Sequence, residues 1–399
     1  MAQHRFFTSS SVLPGHPDKL CDRISDALVD AYLEIDPEAR IRAEAAAAGQ
    51  VIFLVTDVAA SGQVDITGVV RRTIAQTGYF PRDMVADACV ILSQASTMTP
   101  PWSAARIDGV VARHKETEEM DRPAREQTTV FGYACSETPE RMPLPILAAH
   151  RLAATLGTPA LRQAVPGLGP DGDVLVTVEY EEDRPVRIDT IVVQVQYHGT
   201  PGKLAEAFTG QVLAPVFQTM PVKPDKSSKL MVNPAGPLEA AGPARDAGHT
   251  GRKNADDSYG GAARHGGHSL SGKDPSRLDR SASYAARYVA NNVVAASLAS
   301  ECELMLSYAI GQATPTTVFA RTFGTGVMPD DELSRLVRDQ FDLRPAAIEK
   351  RLRLRDLPRE RGGRFYQRLA AAGHFGRADL DVPWEQVDAV VALKRAVPA

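Results

Sequence analysis

Residues 251–280 (GRKNADDSYGGAARHGGHSLSGKDPSRLDR) hold six glycines, six Lys/Arg, four Asp and two His within thirty positions. That mixture suits a polyphosphate ligand. Arg252, Lys253, Lys273 and Arg277 can neutralise a run of phosphates. The pairs Gly260–Gly261 and Gly266–Gly267 let the backbone come close to a ligand. Asp257 and Asp279 offer the hard oxygens that magnesium prefers when it bridges phosphate to protein. A solvated loop of mixed charge is the simpler alternative, and the alternation of glycine pairs with basic residues argues against it. The stretch from Gly267 to Lys273 also spells G-x-x-x-x-G-K, but Asp274 stands where a P-loop has Ser or Thr. The polar, glycine-rich residues 254–266 offer no strand to lead into such a loop, so a P-loop site is set aside.

The elements around this stretch must position it. At the other end of the chain VLPGH (12–16) leads into a helix that begins near Pro17, with Leu20, Ile24, Leu28 and Ala31 at helical spacing until Asp36-Pro37. His16 and Asp18 therefore sit at a helix N-terminus, where N–H groups and the dipole favour an anion; simple capping accounts for them equally well. Residues 40–58 read as strand material with Glu44 and Asp57 on either side of a glycine turn, and 64–78 as a helix. Residues 79–128 are the most irregular part, and RHKETEEMDRPARE reads as a mobile surface loop, either linker or lid.

Beyond Phe131, residues 174–181 and 186–198 alternate apolar with polar and predict a hairpin with one buried face. A helix over 203–218, a short strand at SKLMV and a Gly/Pro/Ala-rich loop carrying Asp246 follow. Then come an Ala-rich helix over 281–300, strands at 302–310 and 315–323 and a helix at 330–341. KRLRLRDLPRERGGR (350–364) reads as a solvated basic face. The expected fold class is α+β, with mixed or antiparallel sheets covered on one side by helices.

The 399-residue chain is long enough for two or three domains. With 44% hydrophobic and 24% charged residues it has the composition of an ordinary soluble protein. A net charge of −4 argues against a general nucleic-acid binder and makes the basic cluster more informative. Cys21, Cys89, Cys135 and Cys302 lie far apart, which predicts reduced thiols in a cytoplasmic protein with neither disulfides nor zinc. The N-terminal residues lack the apolar run of a signal peptide, and the most apolar stretch, 288–311, is broken by Asn291, Asn292, Glu301 and Glu303, so no membrane span is expected.

GHPDKLCDRISDALVDA (15–31), FGYA (131–134), GHTGRK (248–253), YGGAARHGGHSLSGKDPSRLDRS (259–281), SYAARYVA (283–290), SYAIG (307–311), FDLRP (341–345), GHFGR (373–377) and PWE (383–385) together resemble the S-adenosylmethionine synthetase (methionine adenosyltransferase) family, in its order and spacing. The resemblance implies three similar α+β subdomains about a pseudo-threefold axis, here an N-terminal domain (1–105), an active-site loop (106–128), a central domain (129–235) and a C-terminal domain (236–399). It implies a homodimer or a dimer-of-dimers tetramer with sites between subunits. The chemistry implied is attack of methionine sulfur on C5′ of ATP, with loss of tripolyphosphate that is then hydrolysed. By position, His16 lies beside the breaking bond, Asp18 and Asp279 hold two magnesium ions and Glu44 serves potassium. Arg252, Lys253 and Lys273 bind phosphate, with Asp171, Asp246 and Ala263 also at the nucleotide.

The amino-acid side departs from the family pattern. Asp57 stands for a glutamate, Met98 for a glutamine, Arg277 for a lysine, and PAREQT (123–128) for GAGDQG, with Glu126 in place of the aspartate. Asp173 stands for a lysine that faces the nucleotide, and Pro237-Leu238 for an Arg-Phe pair. Three readings remain open from the residues: a synthetase with an unusual lid, a relative that takes another thioether or selenoether amino acid or another nucleotide, and a non-catalytic regulatory paralogue.

Overall fold

The computed structural model describes residues 4–98 and 122–396, and its elements form three sheets, each packed against helices. Elements are numbered in chain order. One sheet has the order β1 (His4–Val12), β6 (Leu168–Glu181), β7 (Arg184–Tyr197), β8 (Pro224–Val232). Strands β6 and β7 form the expected antiparallel hairpin, and β8 runs parallel to β7. Its helices are α3 (Leu144–Leu156), α4 (Pro159–Ala164) and α5 (Pro201–Ala207), the last continuing through a π-helical turn into α6 (Ala214–Gln218). A second sheet runs β4 (Val90–Thr97), β3 (Val51–Ala59), β2 (Arg40–Ala48), β9 (Gly248–His249), with α1 (Pro17–Ile35) and α2 (Ile66–Thr77) beside it. The third runs β11 (Thr317–Arg321), β10 (Glu301–Tyr308), β5 (Thr128–Cys135), backed by α8 (Leu278–Ala295). Short helices complete the chain: α7 (Asn254–Asp257), α9 (Asp330–Gln340), α10 (Pro345–Arg351), α11 (Leu357–Glu360), α12 (Tyr366–Ala370) and α13 (Val390–Ala396). The α+β expectation holds, with two mixed sheets and one antiparallel.

Each sheet borrows a strand from a distant part of the chain. Strand β1 pairs with β6 across more than 150 residues, β5 pairs with β10, and β9 lies on β2.

Helix α1 explains how the glycine-rich stretch is held. Leu20, Ile24 and Leu28 are fully buried, as their spacing requires, but the acidic side of the helix is buried too. Asp18, Asp22, Asp26 and Asp30 recur every fourth residue, so they line one face. Each accepts backbone N–H groups from the far end of the chain. Asp18 takes the His249 amide at 3.0 Å, Asp22 that of Gly251 at 2.8 Å, and Asp26 that of Gly272 at 2.8 Å. Asp30 takes those of Tyr366 and Gln367, both at 2.9 Å. Burial pushes Asp22 and Asp30 up to about 7, with the Lys19 cation and the N–H donors respectively opposing it. Gly248 and Gly272 permit the close approach. A Cβ on Gly248 would lie 2.2 Å from the Pro17 carbonyl oxygen, and one on Gly272 2.0 Å from that of Ala43, where φ is also +79°.

Three expectations change. Strand β4 falls in a region read as irregular, because the apolar run of VILSQAST is short and its side chains are mostly exposed. Helix α8 begins at Leu278, three residues before the expected start, so Asp279 lies in its first turn. Residues 350–364 are not a solvated face: Leu352, Leu354 and Leu357 are buried and Arg355 pairs with Glu349 at 2.6 Å. Most of the loop expected over 106–128 lies outside the described residues.

Candidate active site

The glycine-rich stretch is itself an edge of the second sheet. Thr250 N–H reaches the Ala45 carbonyl at 2.9 Å, while Ala43 N–H reaches that of Gly272 at 2.8 Å and Asp274 N–H that of Ile41 at 3.1 Å. Residues 248–250 and 272–274 thus flank the same side of β2, and their register partners Ala46 and Arg42 are roughly 13 Å apart along the strand.

One group of candidate residues surrounds the N-terminus of α1. His16 is the N-cap, its Nδ1 accepting the Asp18 amide at 3.2 Å, so the neutral ring carries its proton on Nε2. Burial and then the Lys253 charge push this imidazole down to about 4. Asp18 is almost fully buried. Lys253 Nζ lies 2.6 Å from its Oδ2, and Arg252 Nη1 3.6 Å from Oδ1. Burial works against the Asp18 charge, yet Lys253 and the His249 amide hold its carboxyl below the usual range. Asp171, fully buried on β6, accepts the Gly242 amide at 2.7 Å and faces Arg245. Asp246 is exposed, and its Oδ1 accepts the Ala247 amide at 2.7 Å.

The second group surrounds the N-terminus of α8. Lys273 Nζ lies 2.5 Å from Asp279 Oδ2, and the Thr128 hydroxyl donates to Asp279 Oδ1 at 2.6 Å. Burial opposes the Asp279 charge, but Lys273 and Thr128 keep its carboxyl below the usual range. Glu126 Oε1 accepts the Leu278 amide at 2.6 Å and the Asp279 amide at 3.3 Å, while its Oε2 lies 2.6 Å from Arg277. Glu126 and Arg277, expected at the amino acid, thus meet as a cap on α8. Among the described residues no ion pair joins the two groups.

Other candidates are spread over the exposed face of the second sheet. Glu44 stands across from Val55 and Asp57 across from Arg42, whose Nη2 is 2.6 Å from Asp57 Oδ2. Met98 follows β4 and donates its amide to Val58 at 2.8 Å. Ala263 packs partly against the core. Asp257 is not open to a ligand: it is buried in an ion pair with Lys19.

Sequence reasoning missed Asp22, Asp26, Asp30, Arg42 and Arg245. The acids carried a signal, their four-residue spacing in DKLCDRISDALVD, which matches the apolar period of the same helix. The two arginines had none, since their partners lie elsewhere in the chain.

Among the described residues no group of three or more His, Cys, Asp or Glu could cage a metal ion. Asp18 and Asp279 are single carboxylates, each charge-paired to a lysine. That donor set fits magnesium, which is commonly held by one or two carboxylates together with substrate phosphates.

A buried carboxylate, a lysine and an arginine meet at one helix N-terminus and a second Lys–Asp pair stands at another, the residue types from which phosphate sites are built. The chain matches the S-adenosylmethionine synthetase N-terminal domain over residues 4–100, the central domain over 121–238 and the C-terminal domain over 240–386. It is 46% identical over 401 residues to an S-adenosylmethionine synthase from Synechococcus sp. (strain JA-2-3B'a(2-13)), covering 97% of each chain. It is 45% identical over 404 residues to that of Thermosynechococcus vestitus, covering 98% of this chain and 97% of the relative. It is also 45% identical over 408 residues to that of Gloeobacter violaceus, with the same coverage. This chain belongs to the S-adenosylmethionine synthetase family.

Proposed function

We propose that the chain is an adenosyltransferase that makes S-adenosylmethionine from ATP and methionine. A lone pair on the methionine sulfur forms the new bond to C5′ as the C5′–O bond breaks and its electrons pass to tripolyphosphate, which is then hydrolysed to pyrophosphate and phosphate. The observation that carries the reading is the convergence of His16, Asp18, Arg252 and Lys253 on one helix N-terminus in a chain related over its full length to S-adenosylmethionine synthases.

Charge on the leaving tripolyphosphate grows in the transition state, so fixed cations stabilise that state more than the ground state. Arg252, Lys253 and Lys273 bind the phosphates. His16, neutral near pH 7, directs its Nε2–H to the departing oxygen. Asp18 and Asp279 would hold magnesium and Glu44 potassium, whose positive charge neutralises the polyphosphate. Asp171 and Asp246 border the nucleoside, with Ala263 near the phosphates, and Asp57, Met98, Glu126, Asp246 and Arg277 form the amino-acid side.

The complete site lies between two copies of the chain in the cytoplasm. The support is that Glu44 and Asp57 share a sheet face with exposed Phe53, Val55 and Leu92. The four cysteines are free and buried, and among the described residues no helix is long and apolar enough to cross a membrane. The test is incubation with ATP, methionine, magnesium and potassium. S-adenosylmethionine by mass spectrometry, with pyrophosphate and phosphate in equal amounts, is the expected result. No adenosylated product would overturn the reading.

A further inference from the structure

We infer that Arg245 is a polyphosphate-binding residue of this site, held ready by two aspartates, an inference that rests on the nucleotide reading above. Arg245 follows the single 3₁₀ turn Gly242–Ala244, whose first amide is anchored on buried Asp171. Its Nε lies 3.2 Å from Asp171 Oδ2 and its Nη2 3.5 Å from Oδ1. Its Nη1 lies 3.9 Å from Asp173 Oδ2, beyond hydrogen-bond reach. Asp171 is therefore the anchor, while Asp173, about half exposed, faces the open edge of the guanidinium.

The segment that carries both aspartates is joined to the His16 loop. Leu13 N–H donates to the Gly172 carbonyl at 2.9 Å and Gly15 N–H to that of Pro170 at 3.0 Å, so the turn carrying His16 is zipped onto the segment carrying Asp171 and Asp173. The charges agree with the geometry: Arg245 and Lys253 both pull against the burial that raises Asp173.

A purely structural arginine would answer only the buried Asp171. Arg245 instead spans two carboxylates at different depths and keeps its Nη1 edge without a hydrogen bond among the described residues. An uncompensated Asp173 at the mouth of a phosphate site would repel the ligand. Arg245 removes that repulsion, and a phosphate oxygen can take up the Nη1 edge that Asp173 faces without bonding, while Lys253 and Lys273 can exchange a carboxylate for phosphate.

The experiment compares wild type, R245Q, R245K and D173N in magnesium-containing buffer. It measures tripolyphosphate affinity by calorimetry, the KM for ATP and kcat in adenosyl transfer, and the melting temperature. R245Q is expected to weaken tripolyphosphate binding and raise the KM for ATP about tenfold, with kcat changed far less. R245K should recover most of the loss, and D173N should bind tripolyphosphate several-fold more tightly. A folded R245Q with wild-type affinity and KM overturns the inference, as does a loss that R245K does not recover. Should R245Q fail to fold, unaltered or weaker binding by D173N overturns it. Wild type that binds tripolyphosphate through Arg245 yet adenosylates nothing overturns the proposed reaction and leaves this inference standing.

Discussion

Lys273 and Asp279 show how much rests on one pair. Lys273→Ala strips Asp279 of the cation that holds its charge and removes the proposed phosphate contact, and Asp279→Asn removes the proposed magnesium ligand. Each should lower turnover on the order of 100-fold or more while leaving far-UV circular dichroism unchanged; near-wild-type turnover in either variant would take this stretch out of the chemistry. His374 tests burial at the same scale. Its ring is fully buried, with Nδ1 2.8 Å from the Tyr284 hydroxyl, and burial followed by the charges of Arg280 and Lys19 holds it far below its ordinary value. The unfolded chain takes up the proton first as pH falls below about 6.5, so the native state loses stability in that direction. Measured by urea unfolding, the stability of wild type relative to His374→Gln should shrink by about 2 kcal/mol between pH 7 and pH 5. A gap that is flat across this range would mean that the native ring takes up its proton as the unfolded chain does. The residue types at the site were legible because phosphate chemistry needs lysine, arginine and carboxylate in any fold. Their partners were not, since Lys273–Asp279 spans six residues but Lys253–Asp18 spans 235.

Elements behave differently, because a helix can be read from its own period while its environment cannot. The start of α1 at Pro17 and the buried Leu20, Ile24 and Leu28 follow from local pattern. That the opposite face is also buried depends on loops more than 200 residues away supplying N–H donors to Asp18, Asp22 and Asp26. Likewise 350–364 looked exposed from its charge density, whereas its leucines alternate with arginines and point inward. Helix α8 was placed late for a related reason: its cap is Glu126, remote in sequence, so no Ser or Asp at the local N-cap marked the start. Glu126→Ala should therefore cost about 1–2 kcal/mol in denaturant unfolding, as the loss of a helix cap does, and raise the KM for ATP because Asp279 sits in the turn that loosens. Glu126→Gln keeps an acceptor and should retain most of the stability. Equal loss in both variants would show that the Arg277 ion pair, and not the cap, is what Glu126 supplies.

At the scale of the molecule, strand exchange ties the thirds of the chain together. Strand β1 is an edge of the sheet built by residues 168–232, and β5 belongs with β10 and β11, so no third keeps its sheet intact without another. Among the described residues, the second sheet adds a face with no partner. Phe53 and Leu92 are register neighbours, all four of Phe53, Leu92, Val55 and Val90 are about half exposed, and Glu44, Arg42 and Asp57 continue the same face along β2 and β3. Apolar side chains grouped on one sheet face beside candidate binding residues are the kind of patch that a partner can cover. If a second copy covers it, the candidate potassium and amino-acid residues lie at the junction, and association becomes a condition of activity. Introducing a charge at its centre, Phe53→Glu, would place a carboxylate in an apolar contact with no cation opposite. Sedimentation should then show the 42.9 kDa monomer where wild type sediments as a dimer or larger, with adenosyl transfer lost in proportion. Wild type that is monomeric and active at nanomolar concentration would place the whole site within one chain, and the two residue groups on β2 would have to meet around a single nucleotide.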